Sequence, residues 1–322
     1  MLPTILLSAV LLALAAGCRS RPKSMEDLPP PATRPVEILQ KPAIDLARGG
    51  AGFPLDSTTR PASIEQLRQL LTAAYIARLE ESPSVRITAI GQTLSQLDLL
   101  EIDLTGSRVK GTFAPKPPDD PRTKITATPF TEVATLRYLA DPLKYRGYDA
   151  SLTLEATDAR LALIPDPEGK LTLALYDCHA GKARISMELD DLERGLAAAA
   201  RLRGGFATQI KSIQIRLVSE STRNLEAELT IHASVLALPT TFRLIGRADV
   251  DNNFNVHFTS LTAAGNDPSG AVIAAFVQAN LDKINNKAAP LLKLPGDKIR
   301  VSDLKITLDR RLTVDIGFAG SR

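Results

Sequence analysis

From Leu97 to Phe318 the chain repeats one pattern, with apolar side chains at every second position and polar or charged ones between them. Side chains two residues apart on an extended chain share a face, so each such run is a strand with one apolar and one polar side. Leu100, Ile102 and Leu104 begin the series; Leu152 and Leu154, then Leu171, Leu173 and Leu175, then Ile185, Met187 and Leu189 continue it. Ile213, Ile215 and Leu217 follow. In NLEAELTIHASV, Leu225, Ala227, Leu229, Ile231 and Ala233 face one way, and Glu226, Glu228, Thr230 and His232 the other. The last runs are Phe242 and Leu244; Phe254, Val256 and Phe258; Ile299 and Val301; Leu304, Ile306 and Leu308; and Leu312, Val314, Ile316 and Phe318. Long strands of this kind predict an antiparallel sheet with one wet and one covered face, not βαβ units. The phase slip between Val301 and Leu304 predicts a bulge near Ser302-Asp303. Asp251-Asn252-Asn253 and Asp309-Arg310-Arg311 read as turns.

Three segments carry helical spacing instead. Ser63 with Gln66 makes a capping box, and Ile64, Leu67, Leu71, Ala74 and Tyr75 follow on one stripe, predicting a helix to about Glu81. Residues 190–203 present Leu192, Leu196, Ala199 and Ala200, with Asp190-Asp191 at the start as N-cap and dipole partners and Gly204-Gly205 as a C-cap. Residues 268–288 open on Asp267-Pro268 and present Val272, Ile273, Phe276, Val277, Leu281 and Ile284. The stretches 169–181 and 253–265 both run three alternating apolar residues into a polar turn ending in Gly, with a helix soon after. They read as a weak internal repeat.

The N-terminus has a different character. Residues 1–17 are apolar or small and too short to span a bilayer; they fit an export signal. Ala15-Ala16-Gly17-Cys18 looks like a bacterial lipobox, which implies cleavage before Cys18 and lipidation of its sulfur. A plain signal peptide whose cleavage site contains a Cys is the alternative. Residues 18–62, with Pro29-Pro30-Pro31, three Arg-Pro pairs and Gly49-Gly50, read as an extended membrane tether. That leaves residues 63–322 as the β-rich domain.

Composition narrows the chemistry. Of 322 residues 39 are basic and 36 acidic, a net charge of +3, too balanced for a broad nucleic-acid face. Two Cys allow neither a disulfide framework nor a Cys-rich metal site. The His179, His232 and His257 side chains are scattered, and Cys178 and His179 are neighbours that a strand points to opposite faces. Asp119-Asp120 lies in a Pro-rich loop. No metal-binding or nucleotide-binding motif appears, so the expectation is a non-enzymatic protein with no cofactor and no metal.

The segments FRLIGRADVDNNFNVHFTSLTAAG and Leu294-Pro295-Gly296 leading into IRVSDLKITLDRRLTVDIG resemble exported bacterial proteins of the LmeA/DUF2993 type, within the tubular lipid-binding superfamily. Arg310-Arg311 replaces the Asp-Gly turn usual there. The resemblance implies an α+β fold in which a long, strongly curved antiparallel sheet wraps around amphipathic helices, and a gap between sheet and helix that takes acyl chains. The candidate cavity wall is Leu229, Ile231, Phe254, Val256, Phe258, Ile273, Phe276, Val277 and Leu281. Arg201, Arg203, Lys211 and Lys298 are candidate contacts for an anionic headgroup. The expected protein is thus a lipoprotein of the cell envelope, anchored through Cys18 and facing the periplasm or exterior, with phospholipid or another acyl lipid as partner. A structural adaptor for an envelope protein partner is the alternative, and an envelope hydrolase the remote one.

Overall fold

The computed structural model describes residues 44–47, 52–80, 84–110, 124–145, 147–166, 168–203, 208–235, 238–290 and 298–320. The leader, Cys18, the tether as far as residue 43, Asp119-Asp120, Gly204-Gly205 and Leu294-Pro295-Gly296 lie outside the described residues. The order is β1 (Ile44–Ala47), β2 (Gly52–Pro54), α1 (Ile64–Ile76), β3 (Arg86–Ile90), β4 (Gln96–Asp103), β5 (Arg108–Val109), β6 (Lys124–Tyr145), β7 (Tyr148–Pro165), β8 (Leu171–Asp177) and β9 (Ala180–Glu188). It continues with α2 (Leu189–Arg203), β10 (Thr208–Val218), β11 (Asn224–Val235), β12 (Leu238–Val250), β13 (Asn255–Gly265), α3 (Pro268–Leu281), β14 (Ala288–Pro290), β15 (Ile299–Leu308) and β16 (Arg311–Gly320).

The fold is α+β, and among the described residues the strands divide between two sheets rather than one. The first has eleven strands along the path β15-β16-β9-β7-β6-β4-β3, joined by β1, β2, β5 and β8; the second is the five-stranded meander β10-β11-β12-β13-β14. The chain leaves the first sheet through α2, builds the meander, and returns as the hairpin β15–β16, which pairs with β9 at Leu312↔Met187 and Val314↔Ile185. The expectation of a wholly antiparallel sheet is corrected as well, because β4 and β5 run parallel to β6. A parallel pair needs a long crossover, and twenty residues of chain separate β4 from β6.

Order also begins upstream of Ser63. β1 pairs with β6 and β2 with β8, and Phe53 and Leu55 are buried in the main core. The domain boundary therefore moves into the segment read as tether, because its few apolar residues complete a sheet edge. α1 starts at its predicted cap, where Ser63 Oγ accepts from the Gln66 amide at 3.1 Å. The return bond of the box shifts by one residue, since Gln66 Oε1 accepts from the Ala62 amide at 2.7 Å. The helix ends at Ile76, short of Glu81, after burying Leu67, Leu71, Ala74 and Tyr75. Leu67, Leu71 and Tyr75 join Leu100, Ile102, Leu136, Leu161 and Leu173 in one apolar core.

The opposite face of the first sheet is wet and charge-patterned. Lys182, Glu155, Arg137 and Glu101 stand in one cross-strand row, and Arg137 reaches Glu155 at 3.2 Å and Glu101 at 3.8 Å. Such exposed pairs contribute about 0–1 kcal/mol each; their effect is to keep the row solvated. The bulge expected near Ser302-Asp303 is present between Val301 and Asp303.

The two sequence segments that look alike end in different sheets, 169–181 in β8 and β9 and 253–265 in β13. They share a hairpin-end pattern without forming a repeated unit.

Candidate functional site

One apolar face of the second sheet, with α2 and α3, forms a separate aliphatic cluster. Its rows run across the strands: Ile213, Ile231 and Phe242 in one, and Ile215, Leu229, Leu244 and Ala263 in the next. α2 adds Leu192, Leu196, Ala197 and Ala200, and α3 adds Ile273, Val277 and Leu281.

Each helix is tied to one edge of this sheet by side chains that bond strand backbone. On β10, Arg201 of α2 donates to the carbonyls of Ile210, at 2.8 Å, and Lys211, and Glu193 accepts from the Ile215 amide at 2.6 Å. On the other edge β14 pairs only with Asn255, Val256 and His257 of β13. Beyond it, Gln278 of α3 accepts from the Ala263 amide at 2.7 Å and donates to the Leu261 carbonyl at 3.2 Å. An exposed edge strand is a template for unwanted pairing; here helix side chains take up part of the backbone on β10 and on the stretch of β13 beyond β14.

The N-terminus of α3 is pinned by Asp267, whose carboxylate accepts from the amides of Gly270 (2.7 Å) and Thr241 (2.9 Å) and from Thr240 Oγ1 (2.8 Å). Gly265 lets the helix start against the strand end, since a Cβ there would overlap the backbone of Gly270 and Ala271. The predicted helix to residue 288 stops at Leu281. A turn follows, with Asn286 in the left-handed region at φ 61°, a conformation that Asn tolerates.

Six of the nine candidate wall residues come together. Leu229, Ile231 and Leu281 are buried, and Phe258, Ile273 and Val277 pack against them. Three do not. Phe254 packs on the core of the first sheet, its ring 5.2 Å from the Arg223 guanidinium. Val256 is half-buried outside the cluster. Phe276 points outward and is 61% exposed. A register shift between Ile245 and Arg247 breaks the period of β13, so Phe258 and Leu261 meet the same cluster although their spacing is odd. That shift hid Leu261 from the period-two reading. Leu196 lay in a stripe already visible, but nothing local told which sheet it would cover.

Among the candidate headgroup contacts, Arg201 is engaged on β10 and serves the fold. Lys211 and Lys298 are exposed, and the side chain of Arg203 lies outside the described residues. Asp190 and Asp191 fall in the first turn of α2 rather than at its cap.

The titratable groups have structural settings. Burial, with the nearby Asp177 carboxylate, pushes the Cys178 thiol up to about 11, which leaves it protonated and a poor nucleophile at neutral pH. His232 Nδ1 lies 3.1 Å from Thr241 Oγ1 across the β11–β12 pair, and His257 Nε2 lies 2.9 Å from Asp251 Oδ2 in the turn before β13. Among the described residues no group of three or more His, Cys, Asp or Glu is placed to hold a metal ion.

Several carboxylates are held below their ordinary range: Asp251 by the His257 bond and the Asn255 amide, Asp267 by the Gly270 and Thr241 amides, and Asp56 by Arg78. A carboxylate whose folded value is depressed stabilises the fold above its unfolded value near 4 and loses that contribution as pH falls through the folded value. Thermal melts at stepped pH are therefore expected to hold steady near neutrality and drop below about pH 4, with Asp267→Asn flattening part of the drop. A melting temperature unchanged down to pH 2 would contradict this.

No family model, curated protein or solved structure matches this chain.

Proposed function

We propose that this protein is a membrane-anchored envelope lipoprotein that binds phospholipid or another acyl chain along the seam between α2 and α3, over Leu229, Ile231, Phe242 and Leu244. The supporting observation is that the two helices are tied by side chains to opposite edges of the second sheet, above one continuous aliphatic face. Helices held at the edges can part over the middle of the sheet without breaking a strand pair. An aliphatic wall asks no hydrogen bonds of a hydrocarbon guest, and each methylene removed from water contributes about 0.8 kcal/mol.

Kinship with the LmeA/DUF2993 type belongs to the same proposal, as does a sheet curved around its helices. The register shifts of β6 on β7 at Pro129/Thr131 and Ala140/Leu143 support curvature, since bulges bend the strand that carries them. The protein is proposed to bind rather than transform its ligand, without cofactor or metal, and to face the periplasm or exterior from its anchor at Cys18.

Lipid extraction of the purified full-length protein is expected to recover phospholipid in near-stoichiometric amount, and Cys18→Ala is expected to move the protein out of the membrane fraction without abolishing that lipid. A protein that yields no lipid and takes up no fluorescent fatty acid overturns the reading. It would favour the adaptor role instead, with the exposed apolar side of α3 as its contact.

A further inference from the structure

We propose that the outward face of α3 is a docking surface for the lipid bilayer, which sets the second sheet and its helix seam against the membrane. This deepens the function proposed above and rests on its anchored-lipoprotein reading.

α3 is apolar around most of its circumference. Ile273, Ala274, Val277 and Leu281 turn inward, whereas Ala271, Val272, Ala275, Phe276 and Ala279 are exposed, Val272 at 72% and Phe276 at 61%. At a period of 3.6 residues those five side chains form one stripe. A helix with apolar residues on both sides is normally buried on both. Here one side faces outward.

The exposure is built in, because the helix cannot roll to hide the stripe. Asp267 holds its first turn to Thr240 and Thr241, Gln278 grips the backbone of Leu261 and Ala263 from the middle, and Asn285 accepts from the Leu261 amide just past its end. Rotation would break every one of these bonds. The nearby charges suit a headgroup layer: Lys287 and Lys283 are exposed beyond the C-terminus of the helix, Lys283 donating also to Asn280 Oδ1 at 2.9 Å, and the neighbouring Asp282 carboxylate is turned to Gln278 Nε2 at 2.7 Å.

The occupant is argued from the chain upstream of the fold. The proposed anchor, Cys18, is separated from β1 by roughly 25 residues, a length that even fully extended keeps the fold within about 90 Å of the anchor. A domain held that near a bilayer presents any fixed apolar stripe to lipid at high effective concentration. The outer face of the first sheet, with its cross-strand row of Lys, Glu and Arg side chains, is unsuited to such contact.

The chain contains no Trp, so a single substitution gives a clean reporter. Full-length Phe276→Trp is reconstituted in mixed phosphatidylcholine and phosphatidylglycerol vesicles, with full-length Ile90→Trp as the control, since Ile90 is also an exposed apolar side chain (53%) but lies in the first sheet. The expected result is a blue-shifted emission and several-fold quenching by acyl-brominated phosphatidylcholine for Phe276→Trp, and aqueous, unquenched emission for Ile90→Trp. Aqueous emission from vesicle-bound Phe276→Trp, or equal quenching of both, overturns the docking face; aqueous emission would also redirect the stripe to a protein partner. A chain that stays in the supernatant overturns both anchor and docking. The extracted-lipid measurement on the same variant reports the seam separately, so loss of bound lipid with Phe276→Trp still quenched removes the seam reading alone.

Discussion

Val277→Asp is expected to abolish uptake of a fluorescent fatty acid from solution, whereas Phe276→Asp is expected to leave it near the unmodified level. The two positions are adjacent in sequence, about 100° apart around α3, and fall on its inner and outer faces. Val277 packs into the cluster of Leu229, Ile231 and Leu281, while Phe276 is exposed. A carboxylate placed among aliphatic side chains with no partner costs several kcal/mol, which an acyl chain beside it cannot repay. Because that cost could also unseat the helix, Val277→Phe serves as a second variant. It keeps the site apolar while filling the seam, and should cut uptake at least several-fold with the far-ultraviolet circular dichroism spectrum preserved. Normal uptake by a folded Val277→Phe protein would show that lipid does not pass this residue. Loss of uptake in Phe276→Asp alone would assign binding to the outer face.

Phe318→Ala is expected to lower the free energy of unfolding by about 3–5 kcal/mol, the range for removing a fully buried aromatic ring. The ring is 2% exposed and lies over Gly181, its register partner on β9, where a Cβ would run into the ring itself. Phe318 also pairs with Val301 on β15, so it fastens the closing hairpin to the rest of the first sheet. The urea midpoint followed by circular dichroism is the measurement. Arg137→Ala, on the solvated charged row, is the comparison and should change stability by less than about 1 kcal/mol. A Phe318→Ala loss that small would mean the ring fills no space the core needs.

Local features of the fold are legible in the amino-acid sequence. The Ser63 cap, the start of α3 at Asp267-Pro268, the bulge after Val301 and the turn at Asp251 depend on residues within a few positions of one another, and all four appear where the sequence puts them. Helix ends are less legible. α1 and α3 both stop short of their expected limits, because the chain just past each end bonds strand backbone instead, the Glu80 amide donating to the Arg108 carbonyl and the Asn286 amide to the Phe258 carbonyl.

The candidate site is half legible. Period-two spacing identifies Leu229 and Ile231 because β11 keeps an unbroken register with β12. It misplaces Phe254, which lies in the turn before β13 in the left-handed region at φ 58°, and Val256, which sits where β13 pairs with β14 outside the cluster. The α3 stripe expected from Val272 to Ile284 straddles two faces of a helix with too little polarity to mark its own inner side. Gln278 and Asn285, which do set that orientation, look like ordinary polar residues until the unpaired edge of β13 is beside them.

By itself the sequence determined that the described residues are built of long one-side-polar strands with three helices, their caps and turns, and an aliphatic rather than polar interior, since these follow from side-chain alternation and local backbone chemistry. Only the tertiary structure decided that the strands divide into two sheets, that β4 lies parallel to β6, that residues 44–47 and 52–54 join the first sheet, and that α3 keeps Phe276 outward. Each of those outcomes depends on hydrogen bonds between backbone or side-chain groups far apart in the chain, and the spacing of neighbouring residues carries no record of them.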